Sequence, residues 1–109
     1  MRRTSRFTMF ELTGFQRDLL YVIGDSDHPS GQDIKQKISA DVGEVNHGRL
    51  YPNLDALVEE GLVTKGQHDR RTNYYEISKK GREELRDRRW WENQYVGEQL
   101  SQKLASEVK

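Results

Sequence analysis

The sequence contains no cysteine among its 109 residues. Disulfide bonds, thiolate metal sites and cysteine-based redox sensing are therefore excluded. No apolar run approaches the roughly 20 residues that a helix needs to span a bilayer, and the basic start of the chain lacks the apolar centre of a secretory signal. We therefore expect a cytoplasmic protein that is not embedded in a membrane.

The chain also lacks net charge, because 18 basic residues balance 18 acidic ones. A neutral chain is not typical of a non-specific nucleic-acid binder. The basic residues are nevertheless concentrated in residues 1–17, 65–71 and 79–89, whereas acidic residues gather in 25–44 and 55–60. This distribution predicts a dipolar molecule with one positive face.

Catalytic and metal-binding patterns are missing as well. His28, His47 and His68 do not have the spacing of metal ligands, and no acid–base pair or nucleophile constellation is present. We therefore expect neither an enzyme nor a bound metal or cofactor. A chain of this length, with 33% apolar residues, suffices for one domain with a modest core.

The most informative stretch lies between Asn46 and Val63. Its apolar residues recur at helical spacing and form one stripe, which consists of Leu50, Leu54, Leu57 and Val58. Asn46 is a favourable N-cap, and Gly61 lies where such a helix would end. The pattern predicts a helix that buries one face.

The opposite face of this helix carries residues suited to contact with DNA, namely Gly48, Arg49, Pro52 and Ala56, with Asn53 beside them. Arginine and asparagine form bidentate hydrogen bonds with guanine and adenine edges. His47 and Arg49 make the start of the helix positive, which favours a phosphate there, although a solvated helix with unoptimised charges explains the same pattern. Pro52 falls beyond the first turn, so we expect a helix that is locally widened or that starts later, near Leu50.

Two further helices are predicted upstream. Thr13 and Gln16 form a capping box, followed by apolar residues at helical spacing up to Gly24. Ser30 caps the next helix, which Gly43 ends. Two short helices, a tight turn and a third helix predict a helix-turn-helix.

Downstream of Gly61 the apolar pattern changes from helical to alternating. Residues 62–68 and 72–78 are typical of strands, and Asp69, Arg70 and Arg71 lie between them. A hairpin tipped with arginines directly after a helix-turn-helix predicts a wing that contacts a minor groove or phosphates. The alternative is an ordinary polar loop.

The last helix is predicted to begin after the cap Ser78 and to run from about Lys79 to Ser106. Its large apolar residues are spread over two sides of the helix: Trp90, Trp91, Tyr95, Val96, Leu100 and Leu104. A small domain covers one side only, so these residues predict a second subunit on the other side. The alternative is an intramolecular cap that leaves Trp90 partly exposed.

Residues 1–12 begin with basic residues and continue with large apolar ones. Such a segment is either a frayed tail or an arm that packs on a partner subunit or lies along DNA. We predict that Phe10 and Leu12 join the dimer contact.

These motifs resemble the PadR family of winged-helix transcriptional regulators. Residues 47–63, HGRLYPNLDALVEEGLV, are similar to the family's hallmark stretch, residues 30–34 to the start of its second helix, and residues 74–82 to its strand-to-helix segment. The single short C-terminal helix resembles the small-subunit branch. The Arg-rich, acid-balanced composition and the Gln-Tyr-Val segment resemble haloarchaeal members, including the reactive-oxygen-species regulator. The chain departs from the usual pattern at Asn46 and His47, so the family's base preference does not carry over.

The resemblance implies an α+β, mainly α, winged helix-turn-helix that binds a pseudo-palindromic operator as a homodimer and acts as a repressor or regulator. The residue patterns and the resemblance together predict an arm in residues 1–12, a DNA-binding domain in 13–78 and a dimerisation helix in 79–109. The predicted DNA contacts lie at the start of the second helix, on the third helix and in the wing: Ser30, Gln32, Lys35, Asn46, His47, Gly48, Arg49, Tyr51, Pro52, Asn53, Arg70 and Arg71.

Two other functions remain open from the sequence. Trp90 and Trp91 could hold a flat aromatic effector at the dimer centre, although tryptophans there are more often dimer core. A structural interaction module that does not bind DNA would require Arg49 and the wing arginines to be incidental.

Overall fold

The computed structural model describes residues 9–107, except for the side chain of the last of these. The elements in chain order are α1 (Gly14–Gly24), α2 (Gly31–Val42), α3 (His47–Glu59), β1 (Val63–Gln67), β2 (Asn73–Ile77), α4 (Lys79–Tyr95) and α5 (Glu98–Glu107). Most of the predicted arm, residues 1–8, lies outside the described residues.

Local capping sets the start of the first two helices. The Thr13 hydroxyl accepts from the Gln16 amide at 3.1 Å, and the Gln16 side chain accepts from the Thr13 amide at 3.1 Å. Ser30 and Asp33 form the same reciprocal pair, at 3.0 Å in each direction. Each pair satisfies two amides that have no partner within the helix, which explains why the helices begin there. Both predicted helix starts are confirmed.

Helix α3 begins at His47, so the prediction of a later start near Leu50 is wrong. The Asn46 side chain accepts from the Arg49 amide at 2.9 Å and caps the first turn. Pro52 lies within the helix. The cap at one end and the three buried leucines along the helix maintain it across the proline.

The core joins helices α1, α2 and α3 to the sheet. Its fully buried side chains are Leu19, Leu20 and Ile23 of α1, Ile34 of α2, Leu50, Leu54 and Leu57 of α3, Val45, and Leu62, Val63 and Tyr75 around the sheet. The predicted apolar stripe of α3 is therefore confirmed. Because this stripe faces inward, the other side of α3 faces solvent.

The two strands form an antiparallel hairpin, with Val63 opposite Ile77 and Gln67 opposite Asn73. The predicted strands are confirmed, each one residue shorter at both ends. An isolated bridge joins Ser30 to Tyr74, and the Tyr75 amide donates to the Pro29 carbonyl at 2.8 Å. The hairpin is thereby attached to the loop before α2, and the three helices with this hairpin form a winged helix-turn-helix.

The C-terminal segment is not one helix from Lys79 to Ser106, as predicted, but two. Helix α4 ends at Tyr95, where Val96 leaves helical geometry (φ −97°, ψ 65°), and α5 begins at Glu98 after Gly97. Glycine is about 1 kcal/mol less favourable than alanine within a helix. The interruption therefore falls where the intrinsic helix propensity is lowest.

Candidate nucleic-acid interface

The exposed start of α3 is the centre of the candidate interface. Asn46, His47, Gly48, Arg49 and Pro52 are all exposed there. The first turn carries no acidic residue. Helix amides and two basic side chains thus face outward together, an arrangement that attracts phosphate.

Tyr51 connects this surface to α2. A Cβ atom at Gly31 would lie only 2.8 Å from two carbons of the Tyr51 ring, so glycine allows the ring to lie directly against the start of α2. His47 stacks on the other side of Tyr51, with ring centroids 5.2 Å apart and an angle of 25°. The start of α2 therefore contacts α3 at Gly31, which Ser30 and Gln32 flank in sequence, and Lys35 follows one turn further along α2.

The other flank of α3 contacts the start of α1. The Arg49 guanidinium lies 3.9 Å from the centroid of the Phe15 ring. The Asn53 amide donates to the Arg49 carbonyl at 2.7 Å and accepts from the Gln16 side chain at 2.9 Å. The sequence indicated Gln16 only as a helix cap, and no sequence signal revealed its contact with α3.

The wing tip presents Arg70 and Arg71 to solvent. Asp69 shapes the turn, because its carboxylate accepts from the Arg71 amide at 2.8 Å and from the Thr72 amide at 2.9 Å. These hydrogen bonds lower the pKa of Asp69 below its ordinary value. Asp69 therefore forms the turn at the wing tip, and both arginines remain exposed to solvent.

The strands of the wing hold, close to the tip, a cluster of rings that sequence reasoning missed. The Tyr74 ring lies 4.8 Å from both the His28 and the His68 ring centroids. His28 has a positive φ of 51°, and its ring contacts Asp27 at 2.7 Å and Glu76 at 3.5 Å. The hydrogen bond to Asp27, together with the charge of Glu76, raises the pKa of His28. His28 is far in sequence from His68 and Tyr74, so only the fold brings it to them.

The residues predicted for dimerisation are divided between surface and core. Phe10, Trp90, Tyr95, Val96 and Leu104 are exposed. Leu100 and Trp91 are half-buried.

Leu12 differs, because it is only 5% exposed and belongs to the core of its own protomer. The Arg17 guanidinium donates to the Met9 and Leu12 carbonyls, at 3.1 and 2.9 Å, and fixes this segment on α1. Leu12 therefore has little surface to offer a partner. Phe10 packs edge-on against Trp91, with ring centroids 5.0 Å apart.

A shallow cleft of about 310 Å³ lies between α1 and α4. Its apolar floor includes Ile77 and Leu85, and Arg82, Arg86 and Arg89 line the α4 side. The Tyr21 hydroxyl is buried at this cleft without a hydrogen-bond partner among the described residues. Burial is the main cause that raises its pKa.

Residues 9–107 contain no group of three or more histidine, cysteine or acidic side chains arranged to hold a metal ion. Within the same residues, no helix combines the length and apolar character required to cross a bilayer.

Comparison with known proteins identifies the family. Residues 19–87 match the transcriptional regulator PadR-like family. H. salinarum RosR is 38% identical, with 90% of this chain and 94% of that chain covered and a TM-score of 0.71. A complex of the same protein, hsRosR-S1, is 38% identical over 91% of this chain and 89% of that chain, with a TM-score of 0.75.

Bacillus subtilis PadR, solved in complex with operator DNA, is 23% identical over 69% of this chain and 47% of that chain, with a TM-score of 0.60. At this identity the likeness concerns the fold alone. No curated protein sequence gives a significant match.

These matches confirm the resemblance read from residues 30–34, 47–63 and 74–82, including the similarity to a haloarchaeal protein. They also agree with the expectation that the chain is not an enzyme. The match over residues 19–87 and the 38% identity to RosR show that the chain belongs to the PadR-like family of transcriptional regulators.

Proposed function

We propose that the protein is a sequence-specific regulator that binds double-stranded DNA as a homodimer and represses transcription. The observation that carries this proposal is the exposed, positively charged start of α3, on which Tyr51 lies directly against the start of α2. The fold shared with Bacillus subtilis PadR, which was solved on operator DNA, supports the same assignment.

In the proposed complex, α3 enters the major groove and its first turns face the bases. Arg49 is exposed and its guanidinium suits the O6 and N7 acceptors of guanine. His47 and Tyr51 contact phosphate or a thymine methyl group. The amide of Asn53 is already hydrogen-bonded within the protomer, so we assign base reading first to Arg49.

The flanking contacts are with phosphates. Ser30, Gln32 and Lys35 position the start of α2 on the backbone, where helix amides and side chains hold phosphate oxygens. Arg70 and Arg71 lie at the tip of the wing, from which they contact the backbone or the adjacent minor groove. These contacts supply affinity and register, whereas Arg49 supplies preference for a sequence.

The proposed dimer interface is formed by α4, α5 and the segment before α1. Six large apolar residues are exposed within residues 9–107, and all but Val42 belong to these parts: Phe10, Trp90, Tyr95, Val96 and Leu104. Apolar side chains concentrated in this way favour association with a second copy. A two-fold dimer presents two α3 helices, which matches a pseudo-palindromic operator.

The direct test is a gel-shift assay with DNA from the gene's own upstream region at two salt concentrations. We expect a specific complex that survives an excess of random DNA and weakens as salt rises, since phosphate contacts release counterions. A reporter gene under that promoter should be expressed more strongly when the regulator is deleted. Equal affinity for upstream and random DNA would contradict sequence-specific binding.

A second candidate function is response to a small aromatic effector, because the cleft between α1 and α4 combines an apolar floor with arginines and an unpaired buried hydroxyl. Trp90 is 63% exposed and could form another contact, whereas Trp91 is already packed against Phe10 and Tyr95. Titration with planar aromatic dyes should quench tryptophan fluorescence if an effector binds near α4. An unchanged signal would count against this function.

The proposed regulatory role has consequences for where the protein acts in the cell and for the signal to which it responds. A regulator of transcription acts where the DNA is, which implies the cytoplasm of a prokaryotic cell. The similarity to RosR supports the proposal of a stress response, but this chain has no cysteine. A response to oxidants therefore does not pass through a thiol of this protein.

A further inference from the structure

We infer that the first turn of α1 sets DNA sequence preference indirectly, with Phe15 and Gln16 acting as positioning residues for Arg49, Phe15 by direct contact and Gln16 through Asn53. The inference rests on the proposed function, since it concerns how the base-reading end of α3 is prepared. It adds residues of α1 that would contact no base.

Phe15 limits the freedom of Arg49. An exposed arginine on a helix samples many rotamers, and fixing one of them opposes binding. The Phe15 ring is half-buried and packed against the core, and the Arg49 guanidinium lies 3.9 Å from its centroid. This contact draws the guanidinium to the α1 side of α3 before DNA is present.

The contact leaves the donors of Arg49 available for a base. The attraction involves the aromatic ring and uses no N–H group. To the described residues, the Arg49 side chain makes no hydrogen bond or ion pair, so its five N–H donors are available. Phe15 therefore positions Arg49 and does not occupy it.

Gln16 fixes the orientation of the Asn53 side chain through successive hydrogen bonds, in which each amide group accepts from one partner and donates to the next. The Gln16 oxygen accepts from the Thr13 amide in the capping box, so its NH₂ group faces α3 and donates to the Asn53 oxygen at 2.9 Å. The Asn53 NH₂ group then faces the Arg49 carbonyl, to which it donates at 2.7 Å. Each amide orientation determines the next one.

Asn53 is consequently a positioning residue as well. A bidentate contact with adenine needs both the oxygen and the NH₂ group of asparagine. Both groups of Asn53 already have partners in the protomer, one on α1 and one on the backbone of Arg49. Asn53 thus ties the helix turn that carries Arg49 to α1, and Arg49 reads the base.

The test is selection of binding sites from a pool of randomised duplexes with the full-length protein. We expect Phe15→Leu, which keeps an apolar side chain but loses the ring, to reduce base discrimination by roughly two- to fivefold at the positions that Arg49→Ala also affects. Phe15→Tyr keeps the ring and should restore the preference. Combining Phe15→Leu with Arg49→Ala should add no further loss, because Phe15 acts through Arg49.

The substitution Gln16→Glu keeps the helix cap and removes the contact with α3, so it tests the two roles of Gln16 independently. Glutamate serves equally well in a capping box, but its carboxylate cannot donate to Asn53. We expect altered base preference with little change in thermal stability. Thr13→Asp is the matched control, since aspartate also caps and adds the same charge in the same turn; it should weaken all sequences similarly and leave the preference unchanged.

Two outcomes would overturn the inference, and they differ in what they mean for the proposed function. If the wild-type protein selects a sequence and Phe15→Leu and Gln16→Glu select it with the same preference, α1 does not position the reading residues, and the proposed function stands. If the wild-type protein itself enriches no sequence, the proposed function fails and the inference fails with it.

Discussion

At the scale of single residues, the candidate interface depends on a glycine and a tyrosine that lie 20 positions apart. Gly31 is the first residue of α2, and the Tyr51 ring of α3 occupies the space where a Cβ would be. The sequence predicted a DNA contact for Tyr51, but the contact with Gly31 requires the packing of two helices. A helical pattern states which residues share a face, and it does not state which residue of another helix they meet.

We expect Gly31→Ala to destabilise the protein by about 1–3 kcal/mol, because the added methyl group must displace the Tyr51 ring. Chemical denaturation measures this change. Gly14→Ala is the matched control, since Gly14 is also the first residue of a helix and its Cβ would meet only the end of Arg17, 3.9 Å away. If Tyr51→Ala does not reduce the effect of Gly31→Ala in a double-mutant cycle, the contact is not the cause.

Loss of Arg49 on α3 and loss of Arg70 in the wing should affect DNA binding differently: the first should depend on the DNA sequence and the second should not. Arg49→Ala should cost about 1–3 kcal/mol on the preferred sequence and relax the preference at the base that it contacts. Arg70→Ala should weaken all sequences similarly and reduce the salt dependence of binding, because it removes a phosphate contact. Gel shifts on operator and random DNA measure both. Equal losses on the two DNAs for Arg49→Ala would show that Arg49 does not read a base.

At the scale of elements, capping chemistry allowed α1, α2 and the cap of α3 to be predicted from sequence to within a residue or two. Thr13, Ser30 and Asn46 each accept from an amide three residues ahead, and such contacts are local. The C-terminal segment was predicted less well. Apolar residues continue at helical spacing across Gly97, and the pattern gave no sign that helical geometry stops at Val96. Helical spacing of apolar residues does not by itself establish a continuous helix.

The wing should be attached to the α1–α2 loop in a pH-dependent way through His28. Because its pKa is raised above the ordinary value of 6.5, the folded protein binds this proton more tightly than the unfolded chain. The stabilisation is complete below pH 6.5 and is lost as pH rises through the folded-state pKa. The protection factor of the Tyr75 amide, which donates to Pro29, should therefore fall over that range after correction for the intrinsic pH dependence of amide exchange.

Variants of the same loop test the source of this dependence. His28→Asn tolerates the positive φ and should abolish the pH dependence, and Asp27→Asn should reduce it by removing the main partner. Asp25→Asn is the control, because it removes a charge from the same loop at a residue that does not contribute to the shifted pKa of His28. An unchanged exchange profile in His28→Asn would exclude this histidine.

At the scale of the whole molecule, the proposed function requires two copies of α3 in a fixed relation. The protomer buries the three leucines of the α3 stripe completely, yet leaves Trp90 63% and Tyr95 62% exposed on α4. Exposed aromatic residues of this size favour a partner. A dimer built on α4 and α5 would present two reading helices with a spacing of roughly one DNA turn, about 34 Å, or a multiple of it.

We expect the double variant Trp90→Ser, Tyr95→Ser to shift the dimer toward monomer in analytical ultracentrifugation, because it removes apolar surface that association would bury. Operator affinity should fall with it, since half-sites would bind separately. Val42→Ser is the control, as Val42 is also exposed but lies at the end of α2. A wild-type protein that sediments as a monomer at concentrations at which it binds DNA would refute the dimer.

The sequence by itself determined the starts of α1, α2 and α4, the strands, the buried stripe of α3 and the family, because each depends on contacts within a few residues or on a contiguous motif. Only the tertiary structure decided that Phe15 lies against Arg49, that Gln16 holds Asn53, that Leu12 is core and that His28 joins the wing. These contacts join residues that are distant in the chain. They depend on how helices and strands pack together, which periodicity and capping do not encode.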